Sequence, residues 1–381
     1  MDTRGLYISF SRALRSFILT ILAFSSPYFL VSHGLNYIEV GVILLFSAAF
    51  STIFIYAIPS FRLPVRSRIV ISWALFSLSL ILLLIFQSVL GYLLAILTGG
   101  LSLSGKDMSA NQPIEQYAIG SFYTDQKTKN IQFSYYNFLS YGGNALAAGL
   151  VIIFPSISFS SIFLLCAVLG LLSGVPYLMV RFPEPVHSKS GIILSEEARR
   201  LRNRLGALFG LDAFGGGFVS TSMIALWFLA VFSVPLSVTG YIFVVVNILT
   251  AISVIISGRI SSRYGLIRTM VASHLISNSF LILMSVFHIL IFAEIFLFLR
   301  QTTSQMDVSP RDSFINTVID ANSRVKTNSQ FLAIRNASTI PAPAVGGELL
   351  ATIPQFMPAV SGIIKSVYDL SLYVLFRNYK I

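Results

Sequence analysis

Polar and charged side chains interrupt the apolar stretches of this 381-residue chain at few places, and the densest is Arg300-Gln-Thr-Thr-Ser-Gln-Met-Asp-Val-Ser-Pro-Arg311. On a helix, Arg300, Ser304, Asp307 and Arg311 share one stripe at i, i+4, i+7 and i+11, with Gln301 and Gln305 as an adjacent i, i+4 pair. A guanidinium is a planar fork matched to carboxylate or phosphate, and glutamine amides add donors and acceptors beside it. The chemistry is that of an anion-binding wall. The same residues also suit an internal ion pair, Arg300 with Asp212 or another helix, and no ligand. Asp107, beside Lys106, and Asp212, within Gly210-Leu-Asp-Ala-Phe-Gly-Gly-Gly217, offer carboxylates in two other apolar stretches. An isolated carboxylate in such a place suits reversible protonation, whereas one paired with Lys106 stays ionised, so Asp212 is the first choice for proton exchange. A salt bridge closing a gate is the competing reading for Asp212, Asp107 and Asp307. Glu294, Arg335, Lys365 and Asp369 complete the set, and Arg335 is read as a structural charge that pairs with Asp307 or caps a basic loop.

These groups need elements that hold them away from water. With 55% hydrophobic and 11% charged residues, the chain is too apolar for a soluble globule of this length. Its apolar stretches run about 17 to 25 residues, enough for a helix to cross ~30 Å of hydrocarbon, and the two-residue alternation of barrel strands is absent. A charge near the bilayer centre costs about 2.5 to 3.5 kcal/mol, so each one requires a partner or a cavity. Basic residues cluster in alternate connections: Arg4, Arg12 and Arg15; Arg62, Arg66 and Arg68; Lys127 and Lys129; Arg181 to Arg204; Arg259, Arg263 and Arg268; Arg311, Arg324 and Lys326; Arg377 and Lys380. The turns between them, such as His33 to Glu39 and Phe232 to Ser237, carry none. Because basic residues collect on the cytoplasmic side, this alternation predicts twelve helical spans with both termini cytoplasmic in the cell membrane. The net charge of +11 is spread over the connections rather than gathered in one stripe, so topology explains it better than a nucleic-acid partner does. The single cysteine, Cys166, excludes a disulfide framework or thiol metal site. The first stretch, Leu14 to Val31, lacks a small-residue cleavage site and reads as the first span rather than a signal peptide.

The polar run from Arg181 to Gly206 divides the chain into a six-span half at 1–181, a cytoplasmic linker at 182–206 and a second half at 207–381. In the linker, Ser195 is placed to cap a short helix with Glu196 and Glu197 in its first turn and arginines later. The halves echo each other at a shift of about 197 residues. Pro113 answers Pro310, Glu115 answers Asp312, Lys127 answers Arg324, Lys129 answers Lys326 and Gly149 answers Gly346. Duplicated halves related by an axis along the membrane normal are a transporter architecture. Over essentially its whole length the chain resembles the major facilitator superfamily, and Gly258-Arg-Ile-Ser-Ser-Arg-Tyr-Gly-Leu-Ile-Arg268 is similar to that family's signature loop, with Ser262 where aspartate is usual. The segment from Arg300 to Arg311, with Ala333 to Gly347, is similar to spans ten and eleven of prokaryotic permeases and efflux proteins.

The resemblance implies an all-α membrane protein of two pseudo-symmetric six-helix bundles, with spans one, four, seven and ten lining a central cavity. Arg300, Gln301, Gln305 and Tyr28 are then expected to contact a small-molecule substrate, and Asp212, Asp107 and Asp307 to couple a proton or form a gate. Arg259 and Arg263 anchor the signature loop. The implied activity is proton-coupled transport of a small anionic or amphipathic organic solute by a monomer in a lipid bilayer, with no cofactor or metal. The alternatives are export of lipophilic or cationic compounds, or a sensor or lipid-flipping protein without solute flux. Gly100-Leu-Ser-Leu-Ser-Gly-Lys106 imitates a phosphate-binding loop, but Asp107 replaces the required Ser or Thr. The four histidines, His33, His187, His274 and His288, are scattered and form no HExxH. No catalytic constellation survives, so an enzyme is not expected. Pro341 and Pro343 predict a kink in span eleven.

Overall fold

The computed structural model describes residues 3–105, 107–123, 125–184, 196–307, 311, 314–315 and 324–377, and every regular element among them is a helix. The major ones are α1 Arg4–Ser32, α2 Tyr37–Ala57, α3 Val65–Phe86, α4 Val89–Gly99, α5 Asn111–Phe122, α6 Gln126–Ile153, α7 Phe159–Leu172 and α8 Val175–Met179. They continue with α9 Glu196–Gly217, α10 Thr221–Phe232, α11 Leu236–Tyr264, α12 Leu266–Val286, α13 Leu290–Thr303, α14 Arg324–Thr339, α15 Ala342–Thr352 and α16 Met357–Phe376. Among the described residues, eight helical stretches are long and apolar enough to cross a membrane, so the chain is a multi-pass membrane protein.

Local sequence explains where helices start. Asn36 and Glu39 form a reciprocal capping box at the head of α2, with Glu39 N donating to Asn36 Oδ1 at 3.0 Å and Asn36 N to Glu39 Oε2 at 2.8 Å. Ser88, Asp125 and Ser158 accept from backbone N–H groups in the first turns of α4, α6 and α7. Gly265, at φ +88°, alone separates α11 from α12, so the expected signature loop is mostly helix and its turn is one residue. The short helix expected in the linker is the start of one helix, Glu196–Gly217, that runs on into the next span, and Ser195 lies outside the described residues. Exposed Arg200 and Glu196 pair there at 2.6 Å.

Among the described residues, four of the expected spans are not single helices long and apolar enough to cross a membrane, for different reasons. Span four stops at Gly99, where Gly100 takes a left-handed φ of +58°, and resumes as α5 only at Asn111. Span ten stops at Thr303, whose hydroxyl, like that of Thr302, bonds back to a carbonyl of the preceding turn. Span eleven is divided at Pro341, as the prolines predict. Span five is one helix, α6, whose first turns are polar.

Contacts group the chain into two units, Met1–His187 with Ser233–Val244, and Ser188–Phe232 with Val245–Ile381. In the first unit α1 lies against α6, where a Cβ on Gly143 would collide with the Ala13 carbonyl oxygen and Ser16 bonds Ser140 at 2.6 Å. The N-terminal end of α11 counts with this unit because Phe24 stacks on Phe243 at 5.8 Å and Gly240 meets the backbone of α6 at Ala148. In the second unit α12 lies against α16, with Gly362 on the Asn278 carbonyl and Ala359 N donating to Ser285 Oγ at 2.9 Å. Its core joins Leu205, Phe209, Met270, Phe331, Leu372 and Phe376.

Candidate functional site

Span ten carries the anion-type chemistry at the point where its helix ends. Counting from Ile289, Arg300 lies about 16 Å along α13 at ~1.5 Å per residue. Its Nη1 donates to Gln301 Oε1 at 3.0 Å, and Gln301 Nε2 donates in turn to Thr250 Oγ1 on α11. Arg300 Nε is buried without a partner, and among the described residues no carboxylate forms an ion pair with this guanidinium. The internal pair with Asp212 is therefore not made. Because α13 ends at Thr303, the expected stripe from Arg300 to Arg311 is not one helix face, and Gln305 sits in the following turn rather than above Gln301. Asp307 and Arg311 still meet, at 2.6 Å.

Asp212, on α9, is not isolated. Lys365 on α16 pairs directly with its Oδ1, and Arg335 on α14 stands 3.9 Å from its Oδ2. The expectation of a lone carboxylate fails because the partner is 153 residues away in the chain, where no spacing rule reaches. Arg335 thus faces Asp212 rather than Asp307. Asp307 is held by Arg311 and by His274 Nε2 at 3.1 Å, and His274 Nδ1 lies 3.2 Å from Asp369, which also accepts from Asn278 Nδ2 at 2.8 Å. All of these groups belong to the second unit.

The first unit has its own buried charge network, which sequence reasoning missed. Arg15 is fully buried and donates to both oxygens of Glu115, at 2.8 and 2.6 Å, to Asp107 at 3.1 Å and to the Tyr177 hydroxyl. Tyr136 and Tyr177 donate to Glu115 at 2.8 and 2.5 Å, and Asn111 Nδ2 donates to Tyr177 at 3.1 Å. Arg12 stacks over the Tyr136 ring at 4.0 Å. Asp107 is thus paired with Arg15; Lys106 lies outside the described residues. Asp107 stands in the irregular segment between α4 and α5 rather than on a span helix. A signal for this network existed: Arg15 is twelve residues into α1 instead of in a basic loop, and Glu115 is one of the echoed positions.

The interrupted backbone of span four is paid for by Ser47 on α2, whose hydroxyl donates to Leu101 O at 2.7 Å and accepts from Leu103 N at 2.8 Å. Non-helical backbone at membrane depth persists only where protein or a cavity satisfies it. Spans four and ten are both interrupted, span four after Gly99 and span ten after Thr303. Elsewhere in the second unit, α9 and α14 frame an open apolar groove of about 410 Å³ lined by Gly206, Gly210, Phe214, Ile334, Ser338 and Pro341, among others.

The remaining expected site residues are placed less centrally. The Tyr28 hydroxyl is engaged by Thr239 Oγ1 at 2.5 Å and donates to Val234 O at 3.0 Å. Arg263 is exposed in the last turn of α11, and the Arg259 side chain lies outside the described residues.

Comparison with known proteins adds three kinds of result. The family model for the Major Facilitator Superfamily matches residues 8–343. Among solved structures, the nucleoside transporter NupG is similar at a TM-score of 0.76 and 14% identity, covering 100% of both chains. A peptide transporter, POT, in complex with alafosfalin gives a TM-score of 0.77 at 15% identity over 98% of this chain and 94% of that one. The human organic anion transporter MFSD10 gives 0.67 at 13% identity over 98% of this chain and 100% of that one. No curated protein sequence matches the chain.

Proposed function

Because the chain belongs to the major facilitator superfamily, we propose that it is a secondary active transporter that moves a small organic anion, or an amphipathic solute with an anionic group, by alternating access driven by protons. The observation that carries this reading is Arg300. A cation at membrane depth costs several kcal/mol unless it is compensated, Arg300 has no carboxylate partner among the described residues, and a ligand would supply the missing charge. Gln301 fixes one edge of the guanidinium through the chain to Thr250, leaving the fork oriented for a carboxylate or phosphate. The apolar groove between α9 and α14 suits the hydrocarbon part of such a solute. Among the similar structures, one is of an organic anion transporter, which supports the anionic class. The protein works in the cytoplasmic membrane as a monomer, with both termini cytoplasmic and residues 1–181 and 207–381 as the moving halves about the 182–206 linker.

Thermal unfolding of the purified protein against pooled small carboxylates and pooled lipophilic cations tests the proposal. A ligand at 100 times its dissociation constant adds about 2.7 kcal/mol, easily seen as a raised melting temperature. Stabilisation by carboxylates, lost in Arg300→Gln, is expected. Stabilisation by cations that survives Arg300→Gln would instead identify an exporter of lipophilic cations.

A further inference from the structure

His274 on α12 turns its two ring nitrogens toward two different carboxylates. Nε2 is 3.1 Å from Asp307 Oδ1 and Nδ1 is 3.2 Å from Asp369 Oδ1, and the three side chains are 4% exposed or less. A neutral imidazole has one N–H and one lone pair, while an ionised carboxylate only accepts. With both carboxylates ionised and the ring neutral, one contact would set lone pair against lone pair in a site closed to water. The 3.2 Å contact to Asp369 has hydrogen-bond geometry and the 3.1 Å contact to Asp307 is at ion-pair distance, so a proton held among the three groups relieves the repulsion in both. Either an imidazolium lies between two carboxylates, or a neutral ring donates to one and accepts from a protonated other. Both arrangements carry one proton more than the separated neutral ring and two carboxylates, and that proton belongs to the three groups jointly.

The neighbouring charges do not remove this requirement. Asp212 has Lys365 and Arg335, and Asp307 has Arg311. Asp369 has no lysine or arginine within ion-pair distance among the described residues and is met only by His274 and by Asn278 at 2.8 Å. The Tyr368 ring lies beside the imidazole at 6.2 Å and contributes no charge. We propose that His274, Asp307 and Asp369 together hold one exchangeable proton and that this triad, rather than Asp212, is the proton-coupling site; the inference rests on the proton-driven reading above. The link to the solute is short. Asp307 lies in the turn that follows α13, and Ser304 N in that turn donates to the Arg300 carbonyl at 2.9 Å. Movement of this turn when Arg300 engages an anion shifts Asp307 against His274 and changes the proton's hold.

The test uses the full chain in lipid nanodiscs, labelled with ¹⁵N-histidine and carrying His33→Gln, His187→Gln and His288→Gln so that His274 alone is seen. At pH 7.5 without solute, the spectrum is expected to show both ring nitrogens protonated, or a neutral ring accompanied by a protonated-carboxyl infrared band. A neutral ring with no such band overturns the proposal, and this reading needs no folded variant of the triad. Arg300→Gln should leave the proton in place, so loss of anion binding and loss of the proton are separable failures. The second measurement is the pH dependence of stabilisation by the pooled carboxylates, a slope of tenfold per pH unit in the parent that Asp369→Asn flattens and Asp369→Glu restores. Retention of the full slope in Asp369→Asn would sink the coupling role. If no carboxylate stabilises the protein, the solute reading fails and the proton measurement decides the triad alone.

Discussion

Replacing Arg15 by methionine removes the hub of the first unit's buried network while keeping a long side chain in its place. Arg15 gives Glu115 two charge-assisted bonds, at 2.8 and 2.6 Å, and Asp107 a third at 3.1 Å, and all three side chains are essentially without solvent exposure. Charge-assisted bonds contribute about 1.5 to 3 kcal/mol each, but they are not additive, and the measured cost of stripping one partner from a buried ion pair is about 3 to 5 kcal/mol. Two carboxylates would also be left with no cation between them, so the upper end of that range applies to Arg15→Met. Most of the cost is the uncompensated charge, which yields a second expectation. Converting Glu115 to Gln in the Arg15→Met background should recover about 1 to 3 kcal/mol, although Glu115→Gln alone is destabilising. Equilibrium unfolding of the four proteins of the cycle, in one detergent at one pH, measures both quantities. A loss below about 1 kcal/mol for Arg15→Met, the range of a solvated ion pair, would refute the sealed network and the depth assigned to Arg15.

Other perturbations follow from single contacts. Ser47→Ala orphans the Leu101 carbonyl and the Leu103 N–H at the break in span four, both buried, and should cost about 2 to 4 kcal/mol in the same unfolding assay. Gly143→Ala drives a methyl into the Ala13 carbonyl where α1 crosses α6, and a loss of about 1 to 3 kcal/mol is expected, with little change if the helices are not in contact. Lys365→Met strips Asp212 of its close partner, lowering stability by about 3 to 5 kcal/mol, and adding Asp212→Asn should return a large part of it.

Charge alternation and hydropathy made the helix positions legible, because the bilayer imposes both patterns on every span. The division at Pro341 was legible because it depends on residues adjacent in the chain. What escaped is non-local. Glu115 is 100 residues from Arg15, Lys365 is 153 from Asp212, and Asp369 is 95 from His274, so packing alone decides these pairings. Arg15 groups with Arg4 and Arg12 as a basic cluster in the sequence, whereas α1 starts at Arg4 and buries Arg15. Asp212 looked alone because its partners sit on the helices that end the chain. The breaks after Gly99 and Thr303 hide in apolar and threonine-rich sequence, and the left-handed Gly100 is the one local hint. His274 bears no motif, and only the convergence of α12, α16 and the turn after α13 gives it two carboxylates.

The most direct measurement of the central claim is equilibrium binding and proteoliposome uptake of whichever radiolabelled carboxylate stabilises the protein most, compared between wild type and Arg300→Gln. Losing the guanidinium fork removes one or more charge-assisted bonds at about 1.5 to 3 kcal/mol each, so affinity should fall by about 10- to 150-fold and uptake with it. The ligand-free Arg300→Gln protein should be at least as stable as wild type, since the substitution removes a buried charge that has no carboxylate partner among the described residues. Unchanged affinity and uptake, or a variant that unfolds more easily without ligand, would contradict the account and make Arg300 a structural charge.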